Sequence, residues 1–201
     1  MTHCKLSLLL AAVLIAPLAA ESQSADPCAA LGGLKIDGVE ITKAALVPAG
    51  TTVPPPYPGA AGIGPLPAHC RVDGVINRRR GADGQEFGIG FALALPETAF
   101  WNGDFMMQGG GGGNGIVSYP VGANYSGDKP ALSRGFAVAS TDTGHKAKTG
   151  AFDFSFMRDQ QAYLDFAFLA NAEVAGLAKQ IIATYYSKPA AYSYFVGCST
   201  G

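Results

Sequence analysis

The residues best suited to chemistry are the last five, Gly197-Cys198-Ser199-Thr200-Gly201. A serine with glycine two residues before it and two after suits nucleophilic attack on a carbonyl. Its hydroxyl must stand out on a sharp, strained turn, and side chains at the flanking positions would collide with neighbouring backbone. The apolar run Tyr192 to Val196 leads straight into these residues and reads as a strand, the setting such a turn requires. Ser199 is therefore the candidate nucleophile. The backbone N–H of Thr200, at the start of a following helix, is a candidate donor to the oxyanion. A plain glycine turn carrying an ordinary serine is the simpler reading of the same pattern.

A second cluster, Gly109-Gly110-Gly111-Gly112-Gly113-Asn114-Gly115, follows a short apolar run. Backbone can approach a substrate carbonyl closely only where side chains are missing, so N–H groups of Gly110, Gly111 and Gly112 are candidate partners of Thr200 in an oxyanion hole. Three other readings compete. Gly110-x-Gly112-x-x-Gly115 matches a dinucleotide fingerprint in form, but Pro120 and Gly122 argue against the helix it must open. A phosphate-binding P-loop would need a Gly-Lys-Ser/Thr ending, which is missing. A flexible linker is the third. Asp142 and His145, in Ser140-Thr141-Asp142-Thr143-Gly144-His145, precede the serine, whereas the acid and base of such a site follow it. A structural or substrate-side role is expected for them. His3 and His69 are poor base candidates, and no His/Cys/Asp spacing points to a metal.

Composition frames these motifs. The 201 residues are 48% hydrophobic and 14% charged with a net charge of −1, which excludes wholesale disorder and gives no electrostatic footprint for nucleic acid. Residues 1–22 read as an export signal: Lys5, an uncharged apolar run from Leu6 to Ala20, then small residues. The run is short for a membrane span, so a secreted or periplasmic protein with no membrane attachment after cleavage is expected. Residues 23–201 form the remaining unit. In an oxidising compartment Cys28 and Cys70, flanking a Pro-rich stretch, could pair. Cys198 is then left either as a buried thiol or with a partner elsewhere.

The elements that must position the motifs follow from periodicity. Val47 to Pro67 reads as extended loop, Arg71 to Ile76 as a short strand, and Arg78-Arg79-Arg80 as a solvated turn. Glu86 to Leu95, Asp104 to Gln108, Gly135 to Thr141 and Ala191 to Val196 read as further strands. Between the last two, Asp159 to Tyr186 places Tyr163, Phe166, Ala170, Val174, Leu177, Ile181 and Tyr185 three or four apart, one stripe of a long helix ended by Pro189. Strand, glycine loop, strand, helix, strand predicts an α/β fold with a mostly parallel sheet: the N-terminal part of an α/β-hydrolase, ending at its nucleophile elbow.

The chain from about Cys28 onward resembles the tannase and feruloyl esterase family of secreted serine esterases. The resemblance lies in Trp101-Asn102-Gly103 with the glycine run, in Ser140 to His145, in Asp165-Phe166-Ala167, and in Tyr194-Phe195-x-Gly197-Cys198-Ser199-Thr200-Gly201. It implies Ser199 as nucleophile, and oxyanion donors from Thr200 and one of Gly110, Gly111 and Gly112. It also implies a disulfide from Cys198 to a cysteine beside the catalytic histidine. That histidine, its cysteine, the acid and a calcium-binding lid would all lie beyond Gly201, so these 201 residues alone are expected to be inactive. No cofactor is expected within the segment. The substrate implied is a small phenolic-acid ester of galloyl or feruloyl type, cleaved through an acyl-enzyme. The alternative from another class is a secreted, non-catalytic glycan- or surface-binding module displaying Tyr57, Tyr119 and Tyr125.

Overall fold

The computed structural model describes Met1 and residues 26–54, 61–122 and 128–201. The expected signal, Tyr57 and Tyr125 lie outside these, apart from Met1. One six-stranded sheet organises the chain: β1 (Val39–Val47), β2 (His69–Arg80), β3 (Glu86–Pro96), β4 (Phe105–Gln108), β5 (Ala137–Thr141) and β6 (Ser193–Val196), in the spatial order β1-β2-β3-β5-β4-β6. The α/β class holds, but the sheet is mixed rather than mostly parallel. β1, β2, β3 and β5 pair antiparallel in turn, and only β5, β4 and β6 run parallel. The reason is connection length. Residues 81–85 are enough for a hairpin between β2 and β3, whereas parallel neighbours need long crossovers. The chain supplies those through residues 109–136 and through the helix that precedes β6.

Alternation along the strands divides the core between two faces. Phe105, Met107, Ala137 and Ala139 point to one side with Val72, Phe91 and Leu93, under Ile181 and Ile182 of the long helix. Met106, Val138 and Ala94 point to the other, under Leu66, Val121 and Leu132. On the helical side, α1 (Pro27–Leu31) is fastened to β2 by a disulfide between Cys28 and Cys70, with Cα atoms 5.5 Å apart.

The long helix begins where Asp159 accepts from the Ala162 N–H at 2.9 Å and ends at Ser187 in a left-handed conformation, ahead of Pro189. It is not one continuous α-helix. α2 (Gln160–Leu164) passes through a π-turn over Asp165–Leu169 into α3 (Ala170–Tyr186). The wider turn rotates the face upstream of it. Ala170, Val174, Leu177 and Ile181 are buried as expected, but Tyr163 is exposed and Ala162 and Asp165 are buried in its place. Nearer the end, Tyr186 rather than Tyr185 enters the core, stacking on Trp101 at 3.8 Å and donating to the Pro96 carbonyl at 2.7 Å.

Two further departures concern charge and alternation. Arg78 to Arg80 lie in β2 rather than in a turn, with Arg78 and Arg80 exposed as expected and Arg79 half-buried. Arg78 pairs with Glu40 at 2.9 Å, and Arg79 pairs with Asp159 while lying over the Phe87 ring. β1 was not expected. Its alternation is broken by a register shift between Ile41 and Lys43 and its inward positions are only half-buried.

Candidate active site

Parallel pairing of β4 with β6 sets Gln108 against Val196, so the two strands release their following loops at the same level. The Gly109 N–H continues the ladder by donating to the Val196 carbonyl at 2.8 Å. The polyglycine loop and the Ser199 turn therefore leave the sheet side by side, at its carboxyl edge, where open α/β sheets carry their sites.

They touch backbone to backbone. A Cβ on Gly201 would stand 2.2 Å from the Gly110 carbonyl oxygen, and one on Gly197 would stand 2.3 Å from the carbonyl carbon of Gly201. A Cβ on Gly109 would meet the same Gly201 carbon at 2.5 Å. Ser199 itself has φ +59°, left-handed backbone that costs a non-glycine residue energy, and its side chain is exposed. The Gly201 N–H closes the turn on the Cys198 carbonyl at 3.0 Å. Cys198 is exposed and carries a free thiol among the described residues, not a buried one.

The loop is anchored on its outer side. The N–H of Gly113 donates to Ala151 at 2.7 Å, that of Gly115 to Asp142 at 3.1 Å and that of Ala147 to Gly115 at 3.0 Å, while a bond from Asn114 to Gly111 at 2.9 Å closes the turn within the loop. The Asn114 amide donates to the Thr141 carbonyl at 2.8 Å and packs against Gly110. Among the described residues, the N–H groups of Gly110, Gly111 and Gly112 donate to no protein acceptor, and neither does that of Thr200. On the elbow side the Thr200 hydroxyl donates to the Gly112 carbonyl. A cleft of about 200 Å³ opens beside the loop, lined by Gly109, Gly110, Gly111, Asn114, Ile116 and Ala151 among others. Residues 116–122, which follow the loop directly, form no helix, so the dinucleotide reading fails; the anchored loop is not a linker either.

The segment from Ser140 to His145 supports this loop from below. Asp142 is fully buried and accepts from the N–H of Gly90 and of Gly144 and from the Lys146 ammonium. Burial pushes its carboxyl up, against the pull of Lys146. His145 is buried face to face with Phe156, centroids 3.6 Å apart. Burial lowers its pKa, opposed by Asp142 and by the carbonyls of Thr143 and Gly113. His69 is bound at both ring nitrogens, by the Pro67 carbonyl and the Tyr119 hydroxyl, each at 2.7 Å. Neither histidine bonds to Ser199. Among the described residues no group of three or more His, Cys, Asp or Glu could hold a metal ion.

The tannase and feruloyl esterase family model matches residues 70–201, which span the sheet from β2 onward, the polyglycine loop and the elbow. The chain belongs to the tannase and feruloyl esterase family. It is 39% identical over 150 residues to a mono(2-hydroxyethyl) terephthalate hydrolase of Piscinibacter sakaiensis, covering 72% of this chain and 24% of that protein. It is 34% identical over 188 residues to an uncharacterized esterase of Xanthomonas campestris, covering 93% and 30%. The chain thus spans about a quarter to a third of the length of these curated relatives. The crystal structure of feruloyl esterase B from Aspergillus oryzae superposes with a TM-score of 0.67 at 24% identity, over 87% of this chain and 32% of that one, and shares its fold. Members of the tannase and feruloyl esterase family that this chain resembles are hydrolases of esters. The binding-module alternative is not favoured, and Tyr119 of its proposed face is engaged by His69 and by Arg71, which lies over its ring.

Proposed function

We propose that this chain carries the nucleophile and the oxyanion hole of an exported serine ester hydrolase acting on small phenolic-acid esters. The observation that carries the reading is the juxtaposition at the ends of β4 and β6. An exposed, left-handed Ser199 lies beside a loop whose amides at Gly110, Gly111 and Gly112 have no acceptor of their own. In this reading Ser199 attacks the ester carbonyl, the alcohol leaves, and water releases the acid from the acyl-enzyme. The N–H of Thr200 and one from Gly110 to Gly112 bind the oxyanion. The acid and base come from outside these 201 residues, and so does a partner for the exposed Cys198. Export is supported by the apolar leader and by the Cys28–Cys70 disulfide, which persists in oxidising compartments. A calcium ion, if bound, belongs to the remainder of the enzyme.

The test uses the intact enzyme with methyl ferulate, methyl gallate and a 4-nitrophenyl ester. Ser199→Ala should abolish turnover of all three, and a fluorophosphonate should label the peptide containing Ser199. Undiminished turnover by the variant sinks the reading. The 201 residues alone should turn over none of the esters, because neither described histidine addresses Ser199.

A further inference from the structure

We infer that the Thr200 side chain is a positioning residue, whose hydroxyl holds the polyglycine loop at working distance from the elbow through the Gly112 carbonyl. The inference rests on the reading of Ser199 as nucleophile. An oxyanion hole drawn from two segments works only if the segments keep a fixed spacing, because the donors must sit about 3 Å from one developing charge. Here one donor is the Thr200 N–H and the other comes from a loop without side chains. Polyglycine restrains itself least of all sequences, since each residue samples both halves of backbone space.

The restraints on that loop are uneven. Its outer side is held by three backbone hydrogen bonds, from Gly113 to Ala151, from Gly115 to Asp142 and from Ala147 to Gly115. Towards the elbow, the contact between Gly201 and Gly110 excludes closer approach but does not prevent separation. The Gly109 bond to Val196 lies at the strand end, before either loop begins. Among the described residues the Thr200 hydroxyl to Gly112 carbonyl bond is the one directional link between residues 197–201 and residues 110–115. Threonine suits the role because its β-branch stiffens χ1 and its hydroxyl supplies the donor. One residue thus gives its N–H to the hole and its hydroxyl to the hole's other wall. Loosening the link displaces donors that matter most in the transition state, so kcat should fall more than KM rises.

The experiment compares Thr200→Val and Thr200→Ser in the intact enzyme. Valine keeps shape and backbone N–H but loses the donor, whereas serine keeps the donor. Thr200→Val should lower kcat for a 4-nitrophenyl ester by about 10-fold or more, given that misplacement by 1 Å can cost about 100-fold. KM should stay within about twofold by the same transition-state argument. The inhibition constant of phenylboronic acid, whose serine adduct offers a tetrahedral oxygen to the same amides, should rise by a similar factor. Thr200→Ser should restore both quantities. A Thr200→Val enzyme with unchanged kcat and boronate affinity overturns the inference while leaving Ser199 untouched, and so does a serine variant as impaired as the valine one. Full activity of Ser199→Ala overturns both the nucleophile and the link.

Discussion

Gly201 meets Gly110 backbone to backbone, with room for no side chain: a Cβ on Gly201 would lie 2.2 Å from the Gly110 oxygen and 2.6 Å from its nitrogen. Gly111, one residue further along the same loop, would place a Cβ in open space. Two glycines in one site thus have opposite tolerances, and substitution should separate them. Gly201→Ala should destabilise the intact enzyme by about 1–3 kcal/mol, as overpacking does, and lower ester hydrolysis sharply. Gly111→Ala should change stability by no more than about 0.5 kcal/mol. Thermal melts and ester assays of both variants decide it; equal tolerance at the two positions would refute the packing argument.

The Cys28–Cys70 disulfide joins residues 42 apart and is fully buried at both ends. In the chain-entropy account a closed loop of that size contributes between about 3 and 4.7 kcal/mol, the figures for loops of 15 and 100 residues. Replacing both cysteines by alanine should therefore lower the unfolding free energy by about 3–4 kcal/mol in urea titrations. A loss below about 1 kcal/mol would mean that α1 is held to β2 by packing alone.

The buried His145 should make stability fall on the acid side of neutrality. Burial keeps its folded pKa below the ordinary 6.5, opposed by the Asp142 carboxylate and by the carbonyls of Thr143 and Gly113. Below about pH 6.5 the unfolded chain takes up a proton that the folded chain refuses, at up to about 1.4 kcal/mol per pH unit. The contribution is complete above that pH and is lost as pH falls towards the folded pKa. His69, also lowered by burial, acts in the same direction. Asp142, whose carboxyl is raised, acts in the opposite one. The clean measurement is the difference between the parent enzyme and His145→Phe, which keeps the stack on Phe156. That difference should shrink between pH 7 and pH 5. A difference that grows would contradict the assignment.

The turn at Ser199 and the glycine loop were legible because their patterns are local. A serine between glycines and a run of glycines each stand out within seven residues. What joined them was not legible. The register of Gln108 against Val196 and the bond from Thr200 to Gly112 link positions 88 apart. Nothing near Thr200 marks its hydroxyl as engaged. Arg79 failed in the same way, since a charge run reads as solvated until Asp159, 80 residues away, is found beside it. The π-turn at Asp165–Leu169 has no periodic signature, so the stripe extended through it to Tyr163 was misassigned.

Apolar side chains at the rim of the cleft set the last prediction. Ile116 lines it and is 59% exposed; Phe152 follows Ala151, is 78% exposed, and would lie 3.5 Å from a Cβ on Gly112. Single exposed apolar residues are ordinary, but these two flank the loop whose amides face no acceptor. On the proposed reading of the site, an aromatic acyl group is long enough to draw on the burial of these side chains, whereas an acetyl group is not. Ile116→Ser and Phe152→Ala should each raise KM for methyl ferulate by about 10-fold, which corresponds to about 1.4 kcal/mol of lost apolar contact. Hydrolysis of 4-nitrophenyl acetate should stay within about twofold of the parent, since its acyl group offers little apolar surface to bury. Equal loss on both esters would place these residues in support of the loop instead of in contact with the substrate.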